Sequence, residues 1–407
     1  MIAQLAGTDP FSATAAGARH AAYAALVAAG PVHRITLPSG APAWLVLGYD
    51  DVRAALADPR LSSASLMRGV PGADRHMLNT DPPDHTRLRR LVSSAFTRRR
   101  IELLGPRIQQ IADDLLDAIA DRDRVDLIET FAYPLPITVI CELIGVPTDH
   151  QAQFRDWTTT IVAGALADRQ AALAAHTAVI EYVRGEIAAK RADGEADDLL
   201  SALIAVRNVS EGSLAGPRID ADRLSDDELT SMVFLLLLAG HETTVNLIGN
   251  GVHALLTHPA QLALLRAEPE RLGAAVEELL RFAGPLQLAT ARIAVEPVEI
   301  GGVAIPPGDL VVPGLLTANR DAAHAADPHV LDLTRPERQH LAFGYGVHHC
   351  LGAPLARLEG RIALGSLLAR FPDLRLAVPA EELVWRPSVL MHGLATLPVA
   401  LQPPRPL

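Results

Sequence analysis

The sequence predicts a mainly α-helical protein with small β-sheets, folded as one domain over residues 1–407. Three observations carry this. Apolar residues recur at 3.6-residue spacing through long stretches, 101–119, 171–191 and 227–256. Strand-like patches are short and lie only near residues 35–47 and 298–312. No repeat, low-complexity tract or linker divides the chain.

Taken in order, Ile35–Leu37 and Trp44–Leu47 flank Pro38, Ser39 and Gly40 and read as a hairpin. Residues 207–222, rich in Gly, Ser and Asp with Pro217, predict a surface loop. The loop leads to Ser225-Asp226-Asp227-Glu228, a capping box in which serine and glutamate satisfy each other's amides. A helix of roughly thirty residues is expected to start there. Val298–Ile300, Val303–Ile305 and Leu310–Val312, punctuated by Gly301-Gly302 and Pro306-Pro307-Gly308, predict a second small sheet. Pro354 opens a last helix with Leu355, Ala356, Leu358, Glu359, Ile362 and Leu364 on its buried side.

A net charge of −11 and a pI near 5.7 argue against a nucleic-acid binder, which would normally show a basic stripe or tail. The N-terminus lacks a basic stretch followed by an apolar core, and the two cysteines, Cys141 and Cys350, are far apart. A cytoplasmic protein is expected. The longest strongly apolar run, Met232–Ala239, covers roughly half of what a bilayer-crossing helix requires, so no membrane anchor is expected.

The chemistry concentrates in HLAFGYGVHHCLGAPLAR, residues 340–357. A metal-ligating thiolate needs electrostatic support, which the free amides of a helix N-terminus provide. Gly344 and Gly346 permit a tight turn and close approach of backbone to a bulky flat group. A zinc or iron–sulfur site would need further cysteines at ligand spacing, and Cys141 stands alone in an apolar segment. Phe343-Gly344-x-Gly346-x-His348-x-Cys350-x-Gly352 resembles, at every fixed position, the haem-binding loop of the cytochrome P450 superfamily.

That resemblance spans nearly the whole chain and implies a triangular helical prism, with haem b between the long central helix and the helix after the cysteine. It makes Cys350 the iron ligand, with Phe343, Gly344 and Gly352 shaping its loop. Within VFLLLLAGHETTVNLIGN, Ala239 and Gly240 would leave room for a diatomic ligand, and Glu242 and Thr243 match the acid–alcohol pair that delivers protons. His85, Arg89, Arg292 and His348 match the partners of the haem propionates. Glu278, Arg281 and Arg335 match a structural acid–arginine triad.

The segments that line the family's substrate pocket fall on residues 62–77, 157–174, 233–243, 286–291 and 389–392. Leu236, Leu286, Gln287, Leu288, Ala289, Leu390 and Met391 are the expected lining, with Arg68, Arg75, His76 and His392 as further polar exceptions. The run AGHETTVNLIGNGVHALLTHP looks most like actinobacterial enzymes that hydroxylate or epoxidise macrolides, other polyketides, and terpenoid or sterol-like compounds.

The implied activity is an O2-dependent monooxygenase of secondary metabolism, acting on a hydrophobic small molecule and supplied with electrons by a ferredoxin and its reductase. A peroxide-driven or non-oxygenating relative and a non-enzymatic haem protein are the alternatives; Glu242-Thr243 and the lack of a signalling domain count against them. A monomer is expected. Arg98, Arg99, Arg100, Arg107, Arg357 and Arg361 form a local basic patch suited to an acidic ferredoxin.

Overall fold

The computed structural model describes residues 9–402, apart from 16, 65–73, 94–95, 167, 195–197, 209–223 and 337–338. The expected loop at 207–222 therefore lies largely outside the described residues, as does Arg68. The helices are α1 (Ala18–Ala29), α2 (Tyr49–Ala57), α3 (Asp84–Ser93), α4 (Arg98–Asp117), α5 (Pro134–Ile144), α6 (Gln151–Ala163), α7 (Arg169–Asp193), α8 (Leu199–Asn208), α9 (Asp226–Thr257), α10 (Pro259–Ala267), α11 (Leu272–Ala283), α12 (Leu315–Ala318) and α13 (Ala353–Arg370). The strands are β1 (Val32–Thr36), β2 (Pro42–Val46), β3 (Leu61–Ser62), β4 (Arg124–Asp126), β5 (Arg292–Ala294), β6 (Val298–Ile300), β7 (Val303–Ile305), β8 (Leu310–Pro313), β9 (Arg375–Leu376) and β10 (Pro398–Ala400).

The central helix α9 begins where the capping box places it. Ser225 Oγ accepts from the Glu228 amide at 3.2 Å, and Glu228 Oε2 accepts from the Ser225 amide at 2.8 Å. The helix then continues unbroken through the polar Gly240–Thr244 segment. It is apolar on most of its circumference because α5, α7, α11 and α13 pack around it. Among the described residues it is the one helix long and apolar enough to cross a membrane, and 78% of its apolar window is buried in the core. Gly240 and Gly249 make that packing possible. A side chain at Gly240 would sit 2.8 Å from Ile140 of α5, and one at Gly249 would sit 2.6 Å from Ile128.

The predicted hairpin forms as β1 and β2, in register from Val32 opposite Val46 to Thr36 opposite Pro42. The second predicted sheet is smaller than expected. β6 and β7 pair as a two-stranded ribbon, while β8 leaves them to run parallel to β2. This gives a five-stranded sheet in the order β1-β2-β8-β5-β3. The reason lies in burial: Val311 and Val312 of β8 are inaccessible and pack in two different apolar clusters, which a solvent-facing ribbon could not provide.

Glu278, Arg281 and Arg335 meet as expected. Arg281 Nε and Nη2 each donate to the Glu278 carboxylate at 2.7 Å, and Arg335 Nε donates to Glu278 Oε1 at 3.3 Å. Arg281 also donates to the carbonyls of Asn319 and Pro328, and Glu278 accepts from the Asp332 amide. A buried ion pair stabilises only when its remaining hydrogen-bonding capacity is filled, and these backbone contacts fill it. They tie α11 to the segment that leads into the cysteine loop.

At the other end of the chain, the amides of Trp385 and Ser388 donate to the carbonyls of Thr14 and Phe11 at 2.8 and 3.1 Å. The N-terminal segment thus straps the stretch that carries Val389–Met391.

Candidate active site

The cysteine loop is closed by its own backbone. The Cys350 amide donates to the Phe343 carbonyl at 2.9 Å, which folds 343–350 into a hairpin-like turn. Gly344 and Gly346 hold φ of 70° and 74°, a region open to glycine at little cost. At Gly346 a side chain would also come within 3.0 Å of the Leu56 carbonyl. Pro354 sits in the first turn of α13, where its missing N–H is not needed. Burial pushes the Cys350 thiol upward. The amides of Gly352 and Ala353 and the charges of Arg89 and Arg357 oppose this and favour the thiolate.

Cys350 opens into a cavity of about 580 Å³ that reaches Leu37, Pro38 and Ser39 at the tip of the β1–β2 hairpin. His85, Arg89, Arg292 and His348 all line it, and so do Phe343, Gly344 and Gly352. His85 and His348 approach to 4.3 Å between ring centroids, and Arg89 Nη2 donates to the His349 carbonyl at 2.7 Å. Burial and the adjacent Arg292 and His85 lower the His348 pKa to about 3, so its ring is neutral at physiological pH. Both ring nitrogens of His85 and Nε of Arg292 are buried without a hydrogen-bond partner. Orphaned donors of this kind are costly unless a ligand satisfies them. An anionic group with several acceptor oxygens fits them, and the two propionates of a haem above Cys350 are such a group.

The facing wall comes from α9, with Leu235, Leu236, Ala239, Gly240, Thr243 and Thr244 on the cavity. The Thr243 hydroxyl donates to the Ala239 carbonyl at 3.0 Å, which leaves its oxygen lone pairs as the acceptor on this face. Gly240 lines the cavity, but its missing side chain serves the packing of Ile140 rather than opening ligand space. Glu242 points elsewhere. It is 1% exposed, does not line the cavity, and pairs with Arg386 Nη2 at 2.6 Å. Arg386 also donates to Asn246 Oδ1 at 2.7 Å.

Leu286, Ala289, Leu390 and Met391 line the cavity, as do Ile161 and Val162 of α6. Two expected lining residues do not. Gln287 is fully buried, accepting from Tyr23 at 3.0 Å and donating to the Ser388 carbonyl, so its amide braces the pocket wall from behind. Leu288 packs with Tyr23 and Leu45 in the apolar cluster beneath the sheet. Alternation in an extended segment turns Gln287 away from the face that Leu286 presents, whereas Leu288 departs from it, bridging Gly314 and packing into that cluster. His392 likewise bonds the Gly284 carbonyl at 3.0 Å and stacks on Trp385, and His76 caps the short turn at Leu78. Arg75 lies in a separate polar pocket with Asp74, Asp81 and Asp84.

Three residues escaped sequence reading. Arg386 has no local signal, because its partners are 140 and more residues away. Thr290, inside the expected 286–291 segment but not singled out there, lines the cavity beside Ala289. Glu359 is fully buried, lines the cavity, and has neither carboxylate oxygen bonded; burial pushes its pKa well up. An acid on the apolar side of α13 was the available clue.

A closed cysteine loop facing a long helix across a cavity, with unsatisfied cationic and imidazole groups at its edge, defines a haem-thiolate protein. Residues 27–378 match the family model for cytochrome P450, and the chain belongs to that family. It is 50% identical over 389 residues to the cytochrome P450 monooxygenase PikC of Streptomyces venezuelae, covering 93% of this chain and 89% of that one. It is 44% identical over 397 residues to 6-deoxyerythronolide B hydroxylase of Saccharopolyspora erythraea, covering 93% and 95%. The solved structure of the tirandamycin C-bound P450 monooxygenase TamI superposes with a TM-score of 0.85 at 46% identity, covering 94% of this chain and 97% of that one. The protein is a haem-thiolate monooxygenase, and its reaction consumes O2 and electrons from redox partners.

Proposed function

We propose that the protein, acting as a monomeric single domain in the cytoplasm, hydroxylates or epoxidises an uncharged macrolide, other polyketide, terpenoid or sterol-like compound of secondary metabolism. The carrying observation is the lining of the cavity beyond the cysteine loop. Leu236, Leu286, Ala289, Leu390, Met391 and Ile161 dominate it; apart from Glu359 of α13 and the groups assigned to the cysteine loop and the propionates, its described polar side chains are the hydroxyls of Ser39, Thr243, Thr244 and Thr290. The relatives named for a macrolide-type hydroxylation and for bound tirandamycin C support the same class.

Bound haem b would supply O2 activation and oxygen transfer; Cys350 would hold its iron, and His85, Arg89, Arg292 and His348 would hold its propionates. The chain's own residues do the rest. The apolar walls exclude water and orient the substrate. Thr243 Oγ presents an acceptor to the cavity face while its own proton lies on the Ala239 carbonyl, and it can relay a proton by turning that hydrogen toward the cavity. Glu242 is the preceding residue of α9 and can take part in proton delivery only when its carboxylate parts from Arg386. Thr243→Ala is therefore expected to retain substrate binding but to divert electrons into peroxide.

Ferredoxin with its reductase is the proposed electron source. Arg99, Arg100 and Arg361 remain exposed and form the docking patch, whereas Arg107 is paired with Glu142 at 2.6 Å and Arg357 with Glu277 at 2.7 Å. Arg98 is left out of the patch because its side chain lies outside the described residues. Substrate-binding difference spectra across macrolide, terpenoid and sterol panels, followed by 18O2 incorporation into the product, test the reading. Exclusive binding of charged, polar compounds would overturn it.

A further inference from the structure

Beneath the cysteine loop, one arginine is placed with more precision than a surface charge requires. Arg357 of α13 forms a two-point pair with Glu277 of α11, Nε to Oε1 at 2.7 Å and Nη2 to Oε2 at 2.8 Å. His340 adds a third contact to Glu277 Oε2 at 3.1 Å. The guanidinium carbon sits 4.4 Å from the centroid of Phe343, whose carbonyl accepts the Cys350 amide. The His340 ring is tilted against the same phenyl ring, 5.9 Å between centroids. A bidentate guanidinium has one orientation, unlike a lysine head group, so the positive charge is fixed relative to the Phe343–Cys350 turn.

We infer that Arg357, oriented by Glu277 and His340 over Phe343, is a positioning residue that sets the reduction potential of the haem bound at Cys350. The inference rests on the haem-thiolate reading and goes beyond it. Reduction adds one electron to the site, supplied by the redox partner, and a nearby positive charge stabilises the added negative charge. The Glu277 carboxylate offsets part of that effect, so the two members of the pair influence the potential with opposite signs. Arg361, four residues along the same helix and exposed, has no ring beneath it among the described residues and serves as the control.

The test is a mediator-based redox titration of purified holoprotein, with the reduced carbon monoxide spectrum recorded in parallel for the wild type and for Arg357→Gln, Arg357→Lys, Glu277→Gln and Arg361→Gln. Arg357→Gln is expected to disfavour reduction by about tenfold, ~59 mV for a one-electron couple. Arg357→Lys should recover part of this, Glu277→Gln should shift the potential the opposite way, and Arg361→Gln should match the wild type. Unchanged potentials in Arg357→Gln would overturn the inference. So would shifts of equal sign in Arg357→Gln and Glu277→Gln, because a purely packing role loosens the turn in both. If Arg357→Gln does not fold, the signs for Arg357→Lys and Glu277→Gln decide. Failure of the underlying reading is distinguishable, since the wild type itself would then lack the thiolate-type carbon monoxide band.

Discussion

The two sides of the cavity are built by different means. The cysteine side is a backbone construction: a closed turn, two left-handed glycines, a helix N-terminus, and an acid–arginine network that anchors the approach to it. The α9 side is a packing construction, in which one continuous helix is pressed against α5 through the space left by Gly240. A site made of hydrogen bonds fails when a donor or acceptor is removed. One made of packed surfaces fails when a volume changes. The difference predicts which substitutions each side tolerates.

The contrast is sharpest at the ligand. Cys350→Ser is expected to give a folded, haem-poor, inactive protein without the thiolate-type carbon monoxide band, because a neutral hydroxyl donates little to iron. Retention of that band in the variant would mean that another side chain is the ligand. Next in size is the anchor of the cysteine side. Arg281→Ala leaves Glu278 buried beside unfilled carbonyls and should cost about 3–5 kcal/mol in denaturant unfolding. A loss below 1 kcal/mol would put the network on the solvated surface in solution.

On the α9 side, Gly240→Val forces Ile140 aside and is expected to cost about 1–3 kcal/mol. Pairing it with Ile140→Ala should recover part of that loss, a non-additivity that a double-mutant cycle measures. Strictly additive costs would show that the two residues do not meet. The smallest effect is acid sensitivity. Burial alone would raise the Glu277 pKa, but the hydrogen bonds from Arg357 and His340 outweigh it and lower it to about 2. Its folded pKa lies below its unfolded value, so its contribution is complete above about pH 4.5 and disappears as pH falls toward 2. Relative to the wild type, Glu277→Gln should show a flatter stability profile across that window, and an identical profile would remove Glu277 from the acid response.

The same division governs what could be read in advance. The cysteine turn and the capping box are local, so their residues are contiguous and their physical demands show directly in the sequence. The Glu278–Arg281 pair is also local, one helical turn apart. Pocket lining is not local. Gln287 looked like a polar pocket residue because nothing nearby reveals that its amide is spoken for by Tyr23 and Ser388. Glu242 kept its place in the motif, yet its carboxylate is claimed by an arginine from the far end of the chain. β8 was assigned to its sequence neighbours because a parallel partner such as β2 leaves no adjacent turn to announce it.

The strap formed by Phe11 and Thr14 on Ser388 and Trp385 has a bearing on the engineering of this catalyst. Selectivity is ordinarily altered by exchanging residues that touch the reactant. Here the stretch bearing Val389–Met391 is held from outside by main-chain bonds to residues near the opposite terminus. Library design can therefore recruit positions 10–14 as remote levers on regioselectivity, and an affinity tag fused close to them is not a neutral choice.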